Sequence, residues 1–97
     1  MATRLSVDNC IKKCDEVIKY AEEQYKAGML QEHYYDVEFS EAMLDMEKAY
    51  QELVKLNDSA NAQQRERLNR ERVRLQQLQN KMILLDHDRP FYSTLHD

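Results

Sequence analysis

The sequence predicts an all-α fold, and two observations carry that prediction. Glycine and proline, on which turns and hairpins depend, occur once each in 97 residues, which disfavours a β-sandwich or barrel. Apolar residues recur at alternating steps of four and three, the 3.5-residue repeat of a helix that packs along one stripe. We therefore predict a coiled-coil-like protein, either an up-down-up three-helix bundle or a long helical hairpin that dimerises.

The first predicted helix covers residues 6–28. Ser6 is the expected N-cap, and Asp8 in the first turn favours the helix dipole. Gly28 is expected to weaken or end this helix. The residues of its apolar seam are Val7, Ile11, Cys14, Ile18, Ala21 and Tyr25.

The second predicted helix covers residues 34–57, and Asp36 could cap it. The heptad phase runs unbroken from Tyr25 to Tyr35, so a single helix through Gly28 is the alternative. The seam residues of this helix are Tyr35, Phe39, Ala42, Met46, Ala49, Leu53 and Leu56.

The third predicted helix covers residues 60–86, after a break at residues 57–59 where the seam slips and Asn, Asp and Ser favour a turn. Pro90 disfavours helix just before itself, which leaves residues 87–97 as a tail. The apolar seam residues are Leu68, Leu75, Leu78, Met82 and Leu85. Three polar residues fill the other seam positions, and we interpret them as register devices or an open groove: Asn61, Gln64 and Glu71.

Charge distribution suggests how the second and third helices pair. Residues 31–59 carry eight acidic and two basic side chains, whereas residues 60–86 carry three acidic and six basic ones. With the seam at heptad positions a and d, position g is acidic in the second helix and basic in the third. An antiparallel hairpin at residues 57–61 then places Glu52 beside Arg67, Asp45 beside Arg74 and Glu38 beside Lys81. The e-position acids of the first helix, Asp8, Asp15 and Glu22, could flank Arg65 and Arg72.

Cys10 and Cys14 lie four residues apart on one helical face. Two sulfurs are too few for a structural zinc site, and no histidine has a matching spacing. We expect both to be buried free thiols. No nucleophile-and-base pattern is present, so we predict no catalytic residue, cofactor or metal.

Several other features of the chain concern binding. We expect a protein partner, a second copy of the chain, or both. Ile83 and Leu84 widen the apolar surface at the end of the third helix, and the tail adds Phe91, Tyr92 and Leu95. We predict that these five residues form the main contact surface. Tyr20, which is off the seam, is another possible partner contact.

The alternative function is nucleic-acid binding by the arginine-rich face of the third helix, formed by Arg65, Arg67, Arg70, Arg72 and Arg74. It is less favoured because most of these arginines occupy interhelical e and g positions. The net charge of −4 also opposes approach to a polyanion.

No run of apolar residues is long enough to span a membrane, and the first residues carry no secretory signal. The expected location is the cytoplasm.

The sequence resembles the YtzC-like family of small Bacillus proteins over residues 1–86. The resemblance lies in residues 60–66 (ANAQQRE), 75–80 (LQQLQN) and 82–85 (MILL), with further likeness in residues 1–4, 31–34 and 41–42. It implies a cytosolic bacterial helical protein of unassigned function, and it supplies no site residues.

Overall fold

A computed structural model describes residues 2–30 and 37–88, without the side chains of residues 30 and 86–88. These residues form three helices and no strand: α1 (Arg4–Leu30), α2 (Val37–Asn57) and α3 (Ala62–Asp88). The prediction of an all-α fold is confirmed. Tail residues 89–97 lie outside the described part of the chain.

Two helices begin with reciprocal capping boxes. At α3, the Asn61 side chain accepts from the Gln64 backbone N–H and the Gln64 side chain accepts from the Asn61 N–H, both at 2.9 Å. Asn61 and Gln64 therefore form the N-terminal cap of α3. This corrects the expectation that they lie on the seam to fix the register of the helices. At α1, Thr3 and Ser6 make the same exchange, so Thr3 is the N-cap in place of the expected Ser6.

The helices run up, down and up. The Ala2 N–H donates to the Ser59 carbonyl at 3.3 Å, which holds the start of α1 beside the α2–α3 turn. Helix α1 continues through Gly28, which is buried, to Leu30, and α2 then packs against α1. The alternative of one continuous helix from Tyr25 to Tyr35 falls on residues 31–36, which lie outside the described part of the chain together with the expected cap Asp36 and the seam residue Tyr35.

All three helices pack around one core, and the seam residues predicted from the heptad pattern supply most of it. The largest fully buried side chains come from every helix: Val7, Cys14, Met46, Leu53, Leu68, Leu75 and Met82. Burial of this apolar surface, at roughly 25 cal/mol per Å², is the main stabilising contribution. Tyr20, considered above as a partner contact, is half-buried and packs against this core.

Candidate functional site

Helices α1 and α3 are joined by two ion pairs with the same spacing. Arg67 Nη1 lies 2.8 Å from Asp8 Oδ1, and Arg74 Nη1 lies 2.9 Å from Asp15 Oδ1. Both partners advance by one heptad, as they must when the two helices are parallel. Position g of α3 therefore faces position e of α1, the usual match between parallel helices.

These pairs replace the ones expected from the charge pattern. Arg67 and Arg74 contact α1 instead of Glu52 and Asp45, and Glu52 instead lies 3.3 Å from Lys13 of α1. Among the side chains that the structure describes, Glu38, Asp45 and Lys81 take part in no ion pair. The α1 acids were expected beside Arg65 and Arg72, the e-position arginines, and this too is corrected.

The reason is the direction in which the bundle turns. Antiparallel helices can meet through their g edges or through their e edges. Here α2 and α3 meet on the e side. Arg65 Nε donates to the Asn57 carbonyl at 3.2 Å, Gln76 contacts the Tyr50 hydroxyl at 3.5 Å, and Gln79 donates to Glu47 at 3.3 Å. The g edge of α3 is thereby left free to face α1.

A buried carboxylate lies at the centre of the α1–α3 contact. Glu71 is 8% exposed, and its Oε1 accepts a hydrogen bond from Arg74 Nη1 at 2.9 Å. The second oxygen, Oε2, is buried without a partner. Burial raises the pKa of Glu71, the neighbouring Asp15 carboxylate raises it further, and Arg74 opposes the rise. The Arg74 guanidinium therefore binds both carboxylates, Glu71 and Asp15.

The two cysteines are buried free thiols. Burial raises the pKa of Cys14 to about 12, with further contributions from Cys10 and Glu71. The pKa of Cys10 is also raised, again chiefly by burial. Because the thiolate is the reactive form, burial makes both thiols weak nucleophiles at neutral pH. In the described ranges no three His, Cys, Asp or Glu residues are placed to hold a metal ion.

Apolar side chains are exposed at the end of the bundle where α2 begins and α3 ends. Leu44 is 58% exposed and Ile83 is 42% exposed. Both border a groove, here called the α2–α3 groove, whose residues are Phe39, Ser40, Met43, Leu44, Glu47, Gln79 and Ile83. The volume of this groove is about 390 Å³.

The five residues expected to bind a partner are only partly covered by the structure. Leu84 is 64% exposed and lies beside Ile83 on α3. Phe91, Tyr92 and Leu95 lie outside the described residues. Sequence reasoning missed Leu44 and Val73, which are also exposed. Their positions on the outer faces of α2 and α3, away from the seam, are the signal that would have identified them.

The arginine-rich face of α3 is largely engaged within the protein. Arg67 and Arg74 bind α1, and Arg65 bonds the end of α2. Arg70 lies 3.9 Å from Glu66 in the same helix. The Nε of Arg72 is buried. Four of the five side chains remain exposed, but three of them, Arg67, Arg70 and Arg74, are paired with carboxylates of α1 or α3.

Comparison with known proteins assigns the chain to a family. The family described as "Protein of unknown function (DUF2524)" matches residues 1–84, and the chain belongs to it. The uncharacterized protein YtzC of Bacillus subtilis (strain 168) is 52% identical over 84 residues, which cover 87% of this chain and 93% of that protein. No solved structure matches. None of the helices in the described part of the chain is long and apolar enough to cross a membrane.

Proposed function

We propose that this chain, as a member of a family whose function is unknown, acts as a non-catalytic interaction protein that binds a partner protein through the α2–α3 groove. The observation that carries the proposal is the exposure of Leu44 and Ile83 on either side of this groove. Large apolar side chains grouped on a soluble protein are typical of binding surfaces.

The composition of the groove supports a protein ligand. Phe39 is buried at its base and Met43 is half-buried beside it. Polar groups border this apolar centre, where Gln79 donates to Glu47 at 3.3 Å. An apolar centre with a polar rim is the usual anatomy of a protein interface. A partner helix that inserts one or two apolar residues between Leu44 and Ile83 fits this arrangement.

The alternative of nucleic-acid binding has less support. The arginines that would contact phosphates already donate to Asp8, Asp15 and the Asn57 carbonyl. Binding a polyanion would require several of these contacts to be given up. We therefore propose protein binding as the function of the chain.

Site-specific photo-crosslinking tests this proposal. Benzoylphenylalanine replaces Leu44 in one variant and Lys48, an exposed residue one turn further along α2, in a control variant. Both are irradiated in cells that make the protein naturally. We expect a discrete adduct from position 44 and none from position 48, and we expect Ile83→Ser to remove the adduct without lowering thermal stability. Equal adducts from both positions, or an adduct insensitive to Ile83→Ser, would refute the proposed groove.

A further inference from the structure

The face of α3 that points directly away from the core carries an unusual row of side chains. Val73, Gln77, Asn80 and Leu84 follow one another at steps of four, three and four, so they form a second seam opposite the buried one. We call these four residues the outward row. All four are exposed, Val73 by 45% and Leu84 by 64%.

The outward row carries no charge, although charged residues make up 33% of the chain. The same face of α3 is charged one and two turns earlier, at Glu66 and Arg70, and there the two side chains lie 3.9 Å apart in an ion pair. A solvated helix face is normally rich in charge. Its absence over residues 73–84, with apolar groups at both ends, resembles an interhelical seam.

We propose that the outward row pairs with the outward row of a second copy of this chain, with the two α3 helices antiparallel. The two-fold axis passes midway between Gln77 and Asn80. Val73 then faces Leu84 of the second copy, and Gln77 faces Asn80 of the second copy. Each contact occurs twice, as an isologous dimer requires.

The order of residue types favours a second copy over another occupant. Read from either end, the row is apolar, amide, amide, apolar, so it is complementary to itself when reversed. Side-chain amides both donate and accept, and an amide can therefore satisfy a facing amide. A row with no charge also meets its own copy without like-charge repulsion.

The residues beside the row face their own kind of edge in this register. On one edge Arg74 lies nearest to Lys81 of the second copy, and on the other edge Gln76 lies nearest to Ile83 of the second copy. The charge of Arg74 is already paired with Asp15 and Glu71, which reduces its repulsion of Lys81. Arg70 extends beyond Leu84 of the second copy and stays in solvent.

The size of the contact sets its strength. A seam of about three helical turns buries less than the ~1,200–2,000 Å² of a standard stable interface. We therefore expect a weak dimer, with a dissociation constant on the order of 10–100 μM. This dimer meets the α2–α3 groove at Ile83, which lies at the edge of both surfaces, but it does not include Leu44 and does not depend on the proposed partner binding.

A charge-exchange experiment tests the pairing on the full chain. One variant carries Gln77→Glu and Asn80→Glu, and a second carries Gln77→Lys and Asn80→Lys. We expect each alone to dimerise at least about tenfold more weakly than the wild type, because facing like charges repel. An equimolar mixture is expected to form a mixed dimer, measured by sedimentation equilibrium with one variant fluorescently labelled.

Matched controls separate this contact from general effects of charge. Gln63→Glu with Asn69→Glu adds the same charge to exposed positions of α3 before the row, and we expect the wild-type dissociation constant. Leu84→Ser is expected to weaken the dimer, with the helical content unchanged by circular dichroism. Three results would each overturn the proposal. The wild type could remain monomeric at ~1 mM, the control variant could dimerise as weakly as the acidic variant, or the oppositely charged variants could fail to pair. Photo-crosslinking at Leu44 tests partner binding independently of these outcomes.

Discussion

Replacement of Arg74 by methionine is expected to destabilise the bundle more than any other substitution of an exposed arginine in α3. Methionine keeps much of the apolar stem and removes the guanidinium. Two contacts are lost together, one to Asp15 and one to Glu71, each at 2.9 Å. The free energy lost with each contact differs, because the Asp15 side chain is half-exposed whereas the Glu71 side chain is only 10% exposed.

The magnitude follows from that difference in exposure. Loss of the Asp15 pair contributes about 0–1 kcal/mol. Loss of the donor to a buried carboxylate, which already has one unpartnered oxygen, contributes about 1–3 kcal/mol. A total loss of about 2 kcal/mol lowers the midpoint of thermal unfolding of a domain of this size by roughly 8–16 °C.

Urea denaturation followed by circular dichroism at pH 7 measures this cost, and two further variants make the measurement specific. Arg67→Met removes the equivalent ion pair with Asp8, at 2.8 Å, but leaves no buried carboxylate behind, and we expect a loss below about 1 kcal/mol. Glu71→Gln in the Arg74→Met background removes the stranded charge and is expected to restore most of the stability. Equal losses for Arg74→Met and Arg67→Met, or a coupling energy between Arg74 and Glu71 near zero, would refute the reasoning.

Three further predictions concern single residues. Because the pKa of Glu71 is raised in the folded state, the folded chain binds a proton there more tightly than the unfolded chain. The free energy of unfolding of the wild type, relative to that of Glu71→Gln, should therefore rise as pH falls from ~7 to ~5. A difference between the two proteins that does not change with pH in urea titrations would contradict this. Iodoacetamide at pH ~8.5 should alkylate Cys14 far more slowly in the native chain than in the urea-unfolded chain, because the pKa of Cys14 in the fold is about 12. Mass spectrometry of the peptide that contains Cys14 measures both rates, and equal rates would contradict the prediction. Asn61→Ala should lower the free energy of unfolding by about 1 kcal/mol because the N-cap of α3 is lost. Hydrogen exchange in the first turn of α3 should show the loss of cap contacts in Asn61→Ala but not in the control Ala62→Gly, which keeps the cap.

The heptad pattern was sufficient to identify most of the core. Leu68, Leu75 and Met82 are buried because an a/d seam at 3.5-residue spacing can only face the neighbouring helices. The turn near Ser59 was also predictable, because Asn, Asp and Ser favour turns and the seam changes phase there. These features depend on local chemistry and on spacing along one helix.

The ion pairs could not be predicted in the same way. Acidic residues occupy both position g of α2 and position e of α1, and either set can match Arg67 and Arg74 in charge and spacing. The choice depends on the direction in which the bundle turns, which is set by packing of all three helices and leaves no separate signal in any one of them. The buried state of Glu71 likewise follows from three helices meeting, although its polar side chain on the seam marked it as exceptional.

The capping boxes show a different limit of sequence reasoning. Thr3 and Ser6 are both good N-caps, and either could begin α1. The structure uses both, since each side chain accepts from the other's backbone N–H. A search for a single capping residue therefore finds the correct turn and assigns the wrong position.

The arginine contacts between α1 and α3 also have a consequence for folding kinetics. Each joins residues 59 positions apart in the chain, whereas the α2–α3 turn is closed by Ser59 and Ala60 donating to carbonyls only three residues earlier. The entropy of closing a long segment must be paid before its contacts stabilise anything. We therefore expect neighbouring helices to pair first and the parallel α1–α3 contact to form last. Substitutions of Asp8 or Arg67 should accelerate unfolding while leaving the folding rate nearly unchanged.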